Sequence, residues 1–348
     1  MNKPTRTAAT PDTRRPATHT AVTMEMVGRI AGVSQVTVSR ALSDPSKVSP
    51  ATLKKVQDAI AVTGFVPNAL AGALASRRSK LVSTLVPSIT NLTYNSMVKT
   101  FAEEMRAHGY QIMLSECGFD TADEEAAIVT HLSRRPDAML LVGTRHSAGT
   151  RKMLLAAGIP VVEVWDITES PIDLCFGFSH VEAGKAAARF AVDAGYSRAA
   201  CCTANDERAL RRINAFSAEF QALTGTQVAV AQFESEASLG MGRAGLGRLI
   251  EVEGLKSGVV FCSSDQIAHG VLLEAQSRGL AVPGTVAVIG FGDQGFAPDT
   301  SPPLTSMRVD RGALGVSAAQ AILGRLEHGR SAPIVTDVGF EVMRRESA

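Results

Sequence analysis

The sequence predicts an α/β protein with a small helical head at its N-terminus and a large body of alternating strands and helices. Residues 24–64 contain three short helical segments with capping residues at their ends. From Leu81 onward, apolar runs of strand length alternate with helical patterns in two consecutive series. The 348-residue chain is 45% hydrophobic and 20% charged, which is enough to bury several cores. We therefore expect two parallel α/β subdomains behind the head.

The first two predicted helices are separated by a tight turn. Gly32 ends the first helix because it can adopt the left-handed conformation. Ser34 stands at the N-cap of the second, where its hydroxyl can accept from a free backbone N–H. In that second helix Val38, Ala41 and Leu42 share one face and are predicted to pack inward.

The outer face of the second helix carries side chains suited to reading DNA, namely Gln35, Val36, Ser39 and Arg40. Gln and Arg can bond base edges bidentately, and Val suits a thymine methyl group. This is the form of a helix-turn-helix reader. An ordinary helical hairpin with a solvated polar face fits this stretch equally well.

A third helix is predicted at 51–62, opened by Ser49-Pro50 and ended by Gly64.

Charge is divided unevenly between head and body. Residues 1–80 carry 12 Lys and Arg against 4 Asp and Glu, a net charge of +8, which leaves 23 against 30, or −7, for the remainder. A basic head on an acidic body indicates that the head meets a polyanion.

The body is predicted to contain two series of elements. In the first, strands at 81–86, 111–114, 138–142 and 161–164 alternate with helices at 95–108, 122–133 and 148–157. In the second, strands at 199–202, 228–232, 259–262 and 286–289 alternate with helices at 181–194, 207–222, 242–251 and 267–278. Ligands of such folds bind beyond the carboxyl ends of the strands, so we expect the ligand site in the cleft between the two halves.

Several other function classes are not supported by the sequence. The five cysteines form no Cys-x-x-Cys unit and no cluster with histidines, so we expect reduced thiols and no metal site. A signal-peptide core and a membrane-spanning apolar run are both lacking, which predicts a cytoplasmic protein without a membrane partner. We see no nucleophile, base and orienting acid that would indicate an enzyme.

One stretch, Gly240 to Gly245, matches the dinucleotide-binding pattern G-x-G-x-x-G, and Asp265 follows 20 residues later. The fingerprint requires its glycines at a strand-to-helix turn, but residues 234–239 lie between them and the preceding predicted strand. We interpret the match as chance and expect no cofactor.

Several spaced motifs together carry a family resemblance. Gly32-Val33-Ser34, Thr37-Val38-Ser39-Arg40, Gly64-Phe65-Val66-Pro67-Asn68 and the Ala/Leu segment that follows resemble, in this order, the DNA-binding headpiece of the lac-repressor family. The resemblance implies an operator-binding head whose hinge leucine, here Leu74, enters the minor groove; packing between two subunits is the alternative role of Leu74. The candidate DNA-binding residues are Ser34, Gln35, Val36, Thr37, Ser39, Arg40, Lys47, Asn68 and Leu74.

The body is similar to the sugar-binding core of that family, which has a type I periplasmic-binding-protein fold. The predicted domains are a disordered arm (1–20), the helix-turn-helix domain (21–64), a hinge (65–80) and the effector-binding and dimerisation core (81–348). The core is divided into 81–178 with 309–328, and 179–308 with 329–348. No heptad segment of the kind that forms tetramers follows the core, so a homodimer on a pseudo-palindromic double-stranded operator is expected.

Candidate effector-binding residues follow predicted strands in the first half. Tyr94 is a possible stacking residue, although an aromatic residue that opens a helix is as often part of a core. Arg145 favours an anionic ligand, and its neighbour His146 is predicted to lie on the surface. Trp165 and Asp166 offer a stacking platform and a hydroxyl acceptor, with a core position as the alternative for Trp165.

The second half supplies two arginines and a carboxylate. Arg208 and Arg212 are four residues apart and share a helix face, a pair suited to a carboxylate, with solvated surface arginines as the alternative. The resemblance implies that Arg212 contacts the effector and that Asp265 stands at a family binding position. A further family aspartate is replaced by Gly292, which removes negative charge from the predicted pocket.

Three segments, 163–166, 176–180 and 205–208, resemble the gluconate-operon repressors within the family. This implies a small-molecule effector that is a sugar acid or its phosphate and that releases the repressor from DNA. The alternatives are the same regulator with a neutral sugar or another metabolite, and a solute-binding protein.

Overall fold

The computed structural model describes residues 22–67, 78–90, 92–235, 237–329 and 331–348. The predicted arm and most of the predicted hinge, including Asn68 and Leu74, lie outside these residues. The chain divides into two units, Met1–Ser79 and Lys80–Ala348. Within the described ranges, no helix is both long enough and apolar enough to cross a lipid bilayer.

The head consists of α1 (Met24–Ala31), α2 (Gln35–Ser43) and α3 (Pro50–Thr63), with a short 3-10 turn at Pro45–Lys47. Gly32 and Gly64 end α1 and α3 in the left-handed conformation, with φ of 68° and 64°. The core of the head consists of Val27, Ala31, Val38, Ala41, Val56, Ala59 and Phe65. The inward position predicted for Leu42 is wrong: it is 36% exposed, because one residue after Ala41 the helix has turned by about 100° away from α1 and α3.

The body is built of twelve described strands. They are β1 (Leu81–Val86), β2 (Gln111–Glu116), β3 (Ala138–Val142), β4 (Val161–Val164), β5 (Leu174–Gly177), β6 (Ala199–Ala204), β7 (Ala229–Phe233), β8 (Gly258–Cys262), β9 (Val286–Phe291), β10 (Thr305–Arg308), β11 (Ile334–Asp337) and β12 (Glu341–Met343). They form two six-stranded sheets, with the orders β11-β5-β4-β3-β1-β2 and β12-β10-β9-β8-β6-β7. All pairings are parallel except that of β12 with β10.

Eight helices of the described chain cover these sheets. They are α4 (Leu92–Ala107), α5 (Thr121–Leu132), α6 (Ala148–Ala157), α7 (His180–Asp193), α8 (Glu207–Thr224), α9 (Leu239–Glu251), α10 (Asp265–Ser277) and α11 (Arg311–His328). α11 packs on α4 at close range: a side chain at Gly315 would begin 2.3 Å from the carbonyl oxygen of Met97. The predicted α/β body with two parallel sheets is therefore confirmed.

The chain passes between the two sheets three times: after β5, after β10, and between β11 and β12. Four strands lie outside the two predicted series, namely β5, β10, β11 and β12, which are short strands of three or four residues at or next to a sheet edge. The predicted domain division assigned all of 329–348 to the second half. That assignment needs correction, because Ile334–Asp337 pairs with β5 in the first sheet and the last crossing falls between Asp337 and Glu341.

Candidate functional site

The outer face of α2 is the candidate DNA-reading surface of the head. Gln35, Val36, Ser39 and Arg40 are all exposed, while Val38 is fully buried against the other helices. Val36 is 59% exposed, which leaves its apolar side chain available for contact with a base. Side chains of this type on one face of a second helix match base-edge recognition in the major groove.

Two predicted DNA-binding residues hold the start of α2 together. The Ser34 hydroxyl oxygen accepts from the Thr37 backbone N–H at 3.2 Å, and the two hydroxyl groups lie 2.9 Å apart. This cap fixes the direction of α2. Lys47, at the end of the 3-10 turn, is exposed and forms an ion pair with Asp44 at 3.2 Å.

The cleft of the body contains two neighbouring cavities of about 310 and 390 Å³, which have Phe119 and Asp206 in common. The first, called here the arginine cavity, contains three of the predicted effector-binding residues: Arg145, Asp166 and Arg208. The complete lining of the arginine cavity is Pro87, Cys117, Gly118, Phe119, Asp120, Thr121, Glu124, Val142, Gly143, Thr144, Arg145, Asp166, Asp206, Glu207 and Arg208. Its volume suits a ligand the size of a monosaccharide.

Arg208 lies in the first turn of α8 and is only 9% exposed. Its Nη2 donates to the Tyr94 hydroxyl at 3.1 Å, while its Nη1 has no hydrogen-bond partner among the described residues. Both Arg208 and Gly143, beside which Nη1 lies, line the arginine cavity. Because a buried N–H without a partner is costly, an acceptor on a ligand would be favoured here.

Arg212 lies one turn later on α8, in the layer beneath the cleft. Its Nη1 donates to Nδ1 of His180 at 2.8 Å, and its Nη2 donates to the Ser263 carbonyl at 2.9 Å. The guanidinium carbon sits 3.8 Å from the centre of the Phe291 ring, a cation–π contact. Arg212 lines neither cavity.

Trp165 and His180 belong to the same buried layer. The His180 Nε2 donates to the Trp165 carbonyl at 3.0 Å, so this ring is neutral with its proton on Nε2. Burial and the nearby Arg212 charge lower the pKa of His180 well below its ordinary value. Trp165 is 2% exposed and packs edge-on against Tyr94 and Phe178, so it occupies the core position that was its alternative.

Asp166 is engaged by a residue that the sequence analysis missed. Both of its carboxylate oxygens accept from the Arg211 guanidinium, and Arg211 also pairs with Glu207 at 2.9 Å. Asp166 follows β4 in the first half, whereas Arg211 lies on α8 in the second, so the ion pair crosses the cleft. The separation of 45 residues left no local pattern by which this pair could have been found.

Arg145 is exposed at the arginine cavity. The surface position predicted for its neighbour His146 is wrong, since the His146 side chain is 1% exposed and contacts two carboxylates, Glu124 and Glu163. Only the fold brings these three residues together, because they come from α5, the loop after β3, and β4.

Asp265 is fully buried at the start of α10 and lines neither cavity. Its carboxylate accepts from the Ser306 hydroxyl at 2.6 Å and from the Gln294 backbone N–H at 2.5 Å. Burial outweighs these hydrogen bonds and raises the pKa of Asp265 to about 6. The Gln294 side chain donates in turn to Thr93 across the cleft at 3.3 Å.

The G-x-G-x-x-G stretch lies within α9, where it serves helix packing. A side chain at Gly242 would begin 2.0 Å from the Ile267 carbonyl oxygen, and one at Gly245 would meet the Cys202 sulfur at 2.1 Å. In the part of the chain that the structure describes, no group of His, Cys, Asp and Glu side chains is arranged to hold a metal ion.

Comparisons with known proteins agree on both units. The family model described as "Bacterial regulatory proteins, lacI family" matches residues 23–68, and the model "Periplasmic binding protein-like domain" matches residues 188–348. The HTH-type transcriptional regulator GntR of Pseudomonas aeruginosa is 34% identical over 330 residues, covering 93% of this chain and 95% of that protein. The regulator of the same name in Escherichia coli K12 is 30% identical and covers 89% of this chain and 93% of its own.

Solved structures give the same result. A LacI-family transcriptional regulator from Silicibacter pomeroyi superposes with a TM-score of 0.87 at 30% identity, covering 94% of this chain and 99% of that one. The lac repressor dimer bound to operator superposes with a TM-score of 0.78 at 20% identity, over 94% of this chain and 99% of that one, and shares the fold. These relatives are regulators and not enzymes.

Proposed function

Because this chain belongs to the LacI family and is a DNA-binding transcriptional regulator, we propose that it is a repressor of sugar-acid utilisation genes. Its proposed effector is a sugar acid of the gluconate type, or the phosphate of one. Binding of the effector releases the repressor from its operator. The relatives named GntR and the chemistry of the arginine cavity support this proposal.

The observation that carries the proposal is the buried Nη1 of Arg208, which lacks a partner among the described residues beside the arginine cavity. A carboxylate or phosphate oxygen there would gain a charge-assisted hydrogen bond. Arg145 adds a second positive charge to the lining, and Asp120, Glu124 and Asp206 can accept from ligand hydroxyl groups. A polyol with one acidic end matches both features.

Four of the predicted effector-binding residues do not line the arginine cavity and are proposed to support it from the layer beneath: Tyr94, Arg212, Trp165 and Asp265. Tyr94 holds Nη2 of Arg208 and thereby leaves Nη1 for the ligand. Arg212, packed on Phe291 and bonded to Ser263, fixes α8 against the second sheet. Asp166 closes the cavity wall through its ion pair with Arg211.

On the DNA side, we propose that a homodimer presents two α2 helices to successive major grooves, about 34 Å apart, on a pseudo-palindromic operator. Gln35, Val36, Ser39 and Arg40 then face base edges, and Lys47 faces phosphate. Ser34 and Thr37 orient the helix. Asn68 and Leu74, outside the described residues, retain the hinge roles that the family resemblance implies.

The experiment is a titration of the full-length protein with a fluorescent promoter fragment from its own locus, at fixed salt. We expect gluconate or phosphogluconate to release the fragment and glucose to leave it bound. Arg208→Met should lower the potency of the acid by about tenfold or more, since one charged hydrogen bond contributes about 1.5–3 kcal/mol. The control is Arg189→Met, a substitution on α7 that removes an exposed ion pair with Glu219.

Release by glucose alone would reject the sugar-acid effector and leave the neutral-sugar alternative. Specific binding that none of these compounds changes would retain the regulator and discard the proposed effector class.

A further inference from the structure

His146 occupies a buried position between two carboxylates. Its Nδ1 lies 3.0 and 2.8 Å from the two oxygens of Glu124, and its Nε2 lies 3.4 Å from Oε1 of Glu163. The side-chain exposure is 1% for His146, 11% for Glu124 and 0% for Glu163. Only the Nδ1 contacts are hydrogen bonds, since the Nε2–Glu163 contact has ion-pair distance without hydrogen-bond geometry. A carboxylate facing each ring nitrogen favours the imidazolium, the form with a proton on both.

The surroundings favour that charged form. The second oxygen of Glu163 accepts from the Ile172 backbone N–H at 2.6 Å, which fixes this carboxylate as an acceptor. Burial by itself lowers the pKa of His146, but the two carboxylates outweigh burial and raise the pKa to about 9. The two flanking carboxylates therefore favour the charged ring at neutral pH.

The same contacts fix the loop between β3 and α6 onto α5. Glu124 binds His146, and its neighbour Glu125 accepts from the Ser147 hydroxyl. Glu124 and Arg145 both line the arginine cavity, with Arg145 directly before His146 in the chain. The position of Arg145 and the net charge at Glu124 thus depend on His146, which lies between Glu124 of α5 and Glu163 of β4.

We propose that His146 is a positioning residue of the effector site: a buried imidazolium that cancels the charge of Glu124 beside the arginine cavity and holds the loop from which Arg145 faces an anionic ligand. This inference rests on the proposed function for the identity of the ligand. The charged state of His146 does not depend on that proposal.

The first measurement is a histidine-selective NMR spectrum of the full-length protein, without ligand, at pH 7.5. The signal missing from His146→Gln identifies His146 among the seven histidines. We expect both ring nitrogens to be protonated. A neutral ring at pH 7.5 would overturn the inference, whatever the effector proves to be.

The second measurement is the affinity of the variants for gluconate, by calorimetry. His146→Gln leaves two buried carboxylates without their cation, so we expect a loss of about tenfold or more in affinity. The matched control is His131→Gln: His131 is also a buried histidine of this half, it bonds to Ser115 at 2.7 Å, and it does not line the arginine cavity. Affinity unchanged in His146→Gln, or lowered equally in both variants, would contradict the proposal.

A charge rescue separates position from mere packing. His146→Gln combined with Glu124→Gln removes the uncompensated negative charge beside the cavity and keeps an amide oxygen that can accept from a ligand hydroxyl, so we expect most of the lost gluconate affinity to return. The double variant also decides the matter if the single variant does not fold, with operator binding as the test of folding. A folded double variant that fails to bind gluconate would reject the electrostatic role. Failure of the wild type to bind gluconate would instead reject the proposed effector, and the NMR result would still decide the charge of His146.

Discussion

Two buried histidines of the body have opposite pKa shifts, and their nearest partners explain why. His180 accepts from the Arg212 guanidinium, and the like charge adds to burial in favouring the neutral ring. His146 faces Glu124 and Glu163, whose charges outweigh its burial. The residue type is the same, so the sign of the shift is decided by the neighbours that the fold supplies.

The His146 shift predicts how stability depends on pH. The folded-state pKa of about 9 lies above the ordinary value of 6.5, so the folded chain binds the proton more tightly. This contribution is complete below about pH 6.5 and is lost as the pH rises through about 9. We expect the difference in urea midpoint between wild type and His146→Gln to shrink across that window. A difference that stays constant from pH 6.5 to 9.5 would contradict this expectation.

At the scale of the element, the head separates folding from recognition. The buried face of α2 holds Val38 and Ala41, and its cap is formed by Ser34 with Thr37. The exposed face is left to Gln35, Val36, Ser39 and Arg40, none of which is in the core. Because these exposed residues do not belong to the core, they can be substituted without unfolding the head.

The head makes a paired prediction about DNA. Arg40→Ala should weaken binding to the operator by about 1–3 kcal/mol while changing binding to random DNA little, because Arg40 lies on the base-reading face. Lys47→Ala should weaken both in similar proportion, since a phosphate contact carries no sequence information. The pair Lys47–Asp44 at 3.2 Å makes Asp44→Asn a useful control, which should not weaken either complex. Equal losses for Arg40→Ala and Lys47→Ala on both DNAs would refute this division.

At the scale of the molecule, the two halves of the body meet through polar contacts across the cleft. They include Arg211 with Asp166, Arg208 with Tyr94, and Gln294 with Thr93. The first two involve α8, which carries Arg208 at the arginine cavity. A ligand that binds Arg208 therefore acts on the same helix that joins the halves, which is what coupling between effector and cleft geometry requires.

We expect the ion pair of Arg211 and Asp166 to show this coupling. In a double-mutant cycle of Arg211→Gln and Asp166→Asn, the interaction energy in thermal or urea unfolding should be about 1 kcal/mol or more. The reference cycle is Arg189→Gln with Glu219→Gln, an exposed pair within the second half, for which about 0.5 kcal/mol or less is expected. The cross-cleft variants should also alter the gluconate concentration that releases the operator. Equal energies in the two cycles would show that the cleft pair has no special role.

Local patterns in the sequence determined much of the fold. The capping residues Ser34 and Ser49 and the glycines after α1 and α3 placed the helices of the head, because caps and left-handed turns depend on residues within a few positions. Apolar runs likewise placed most strands of both sheets, and the spacing of Arg208 and Arg212 placed both on α8. The ordered motifs of the head, which the comparisons confirm, indicated the family and the regulatory function.

The site was decided by the tertiary structure. From the sequence, Trp165 fits a ligand platform and a core position equally well. Its packing against Tyr94 and Phe178 places it in the core. His146 changes from a surface residue to a buried cation only when Glu124 and Glu163 are brought to it from α5 and β4. The ion pair of Arg211 with Asp166 across the cleft likewise depends on the tertiary structure. Burial and charge partners of this kind join residues far apart in the chain, so no local pattern contains them, and they determine the chemistry of the cleft.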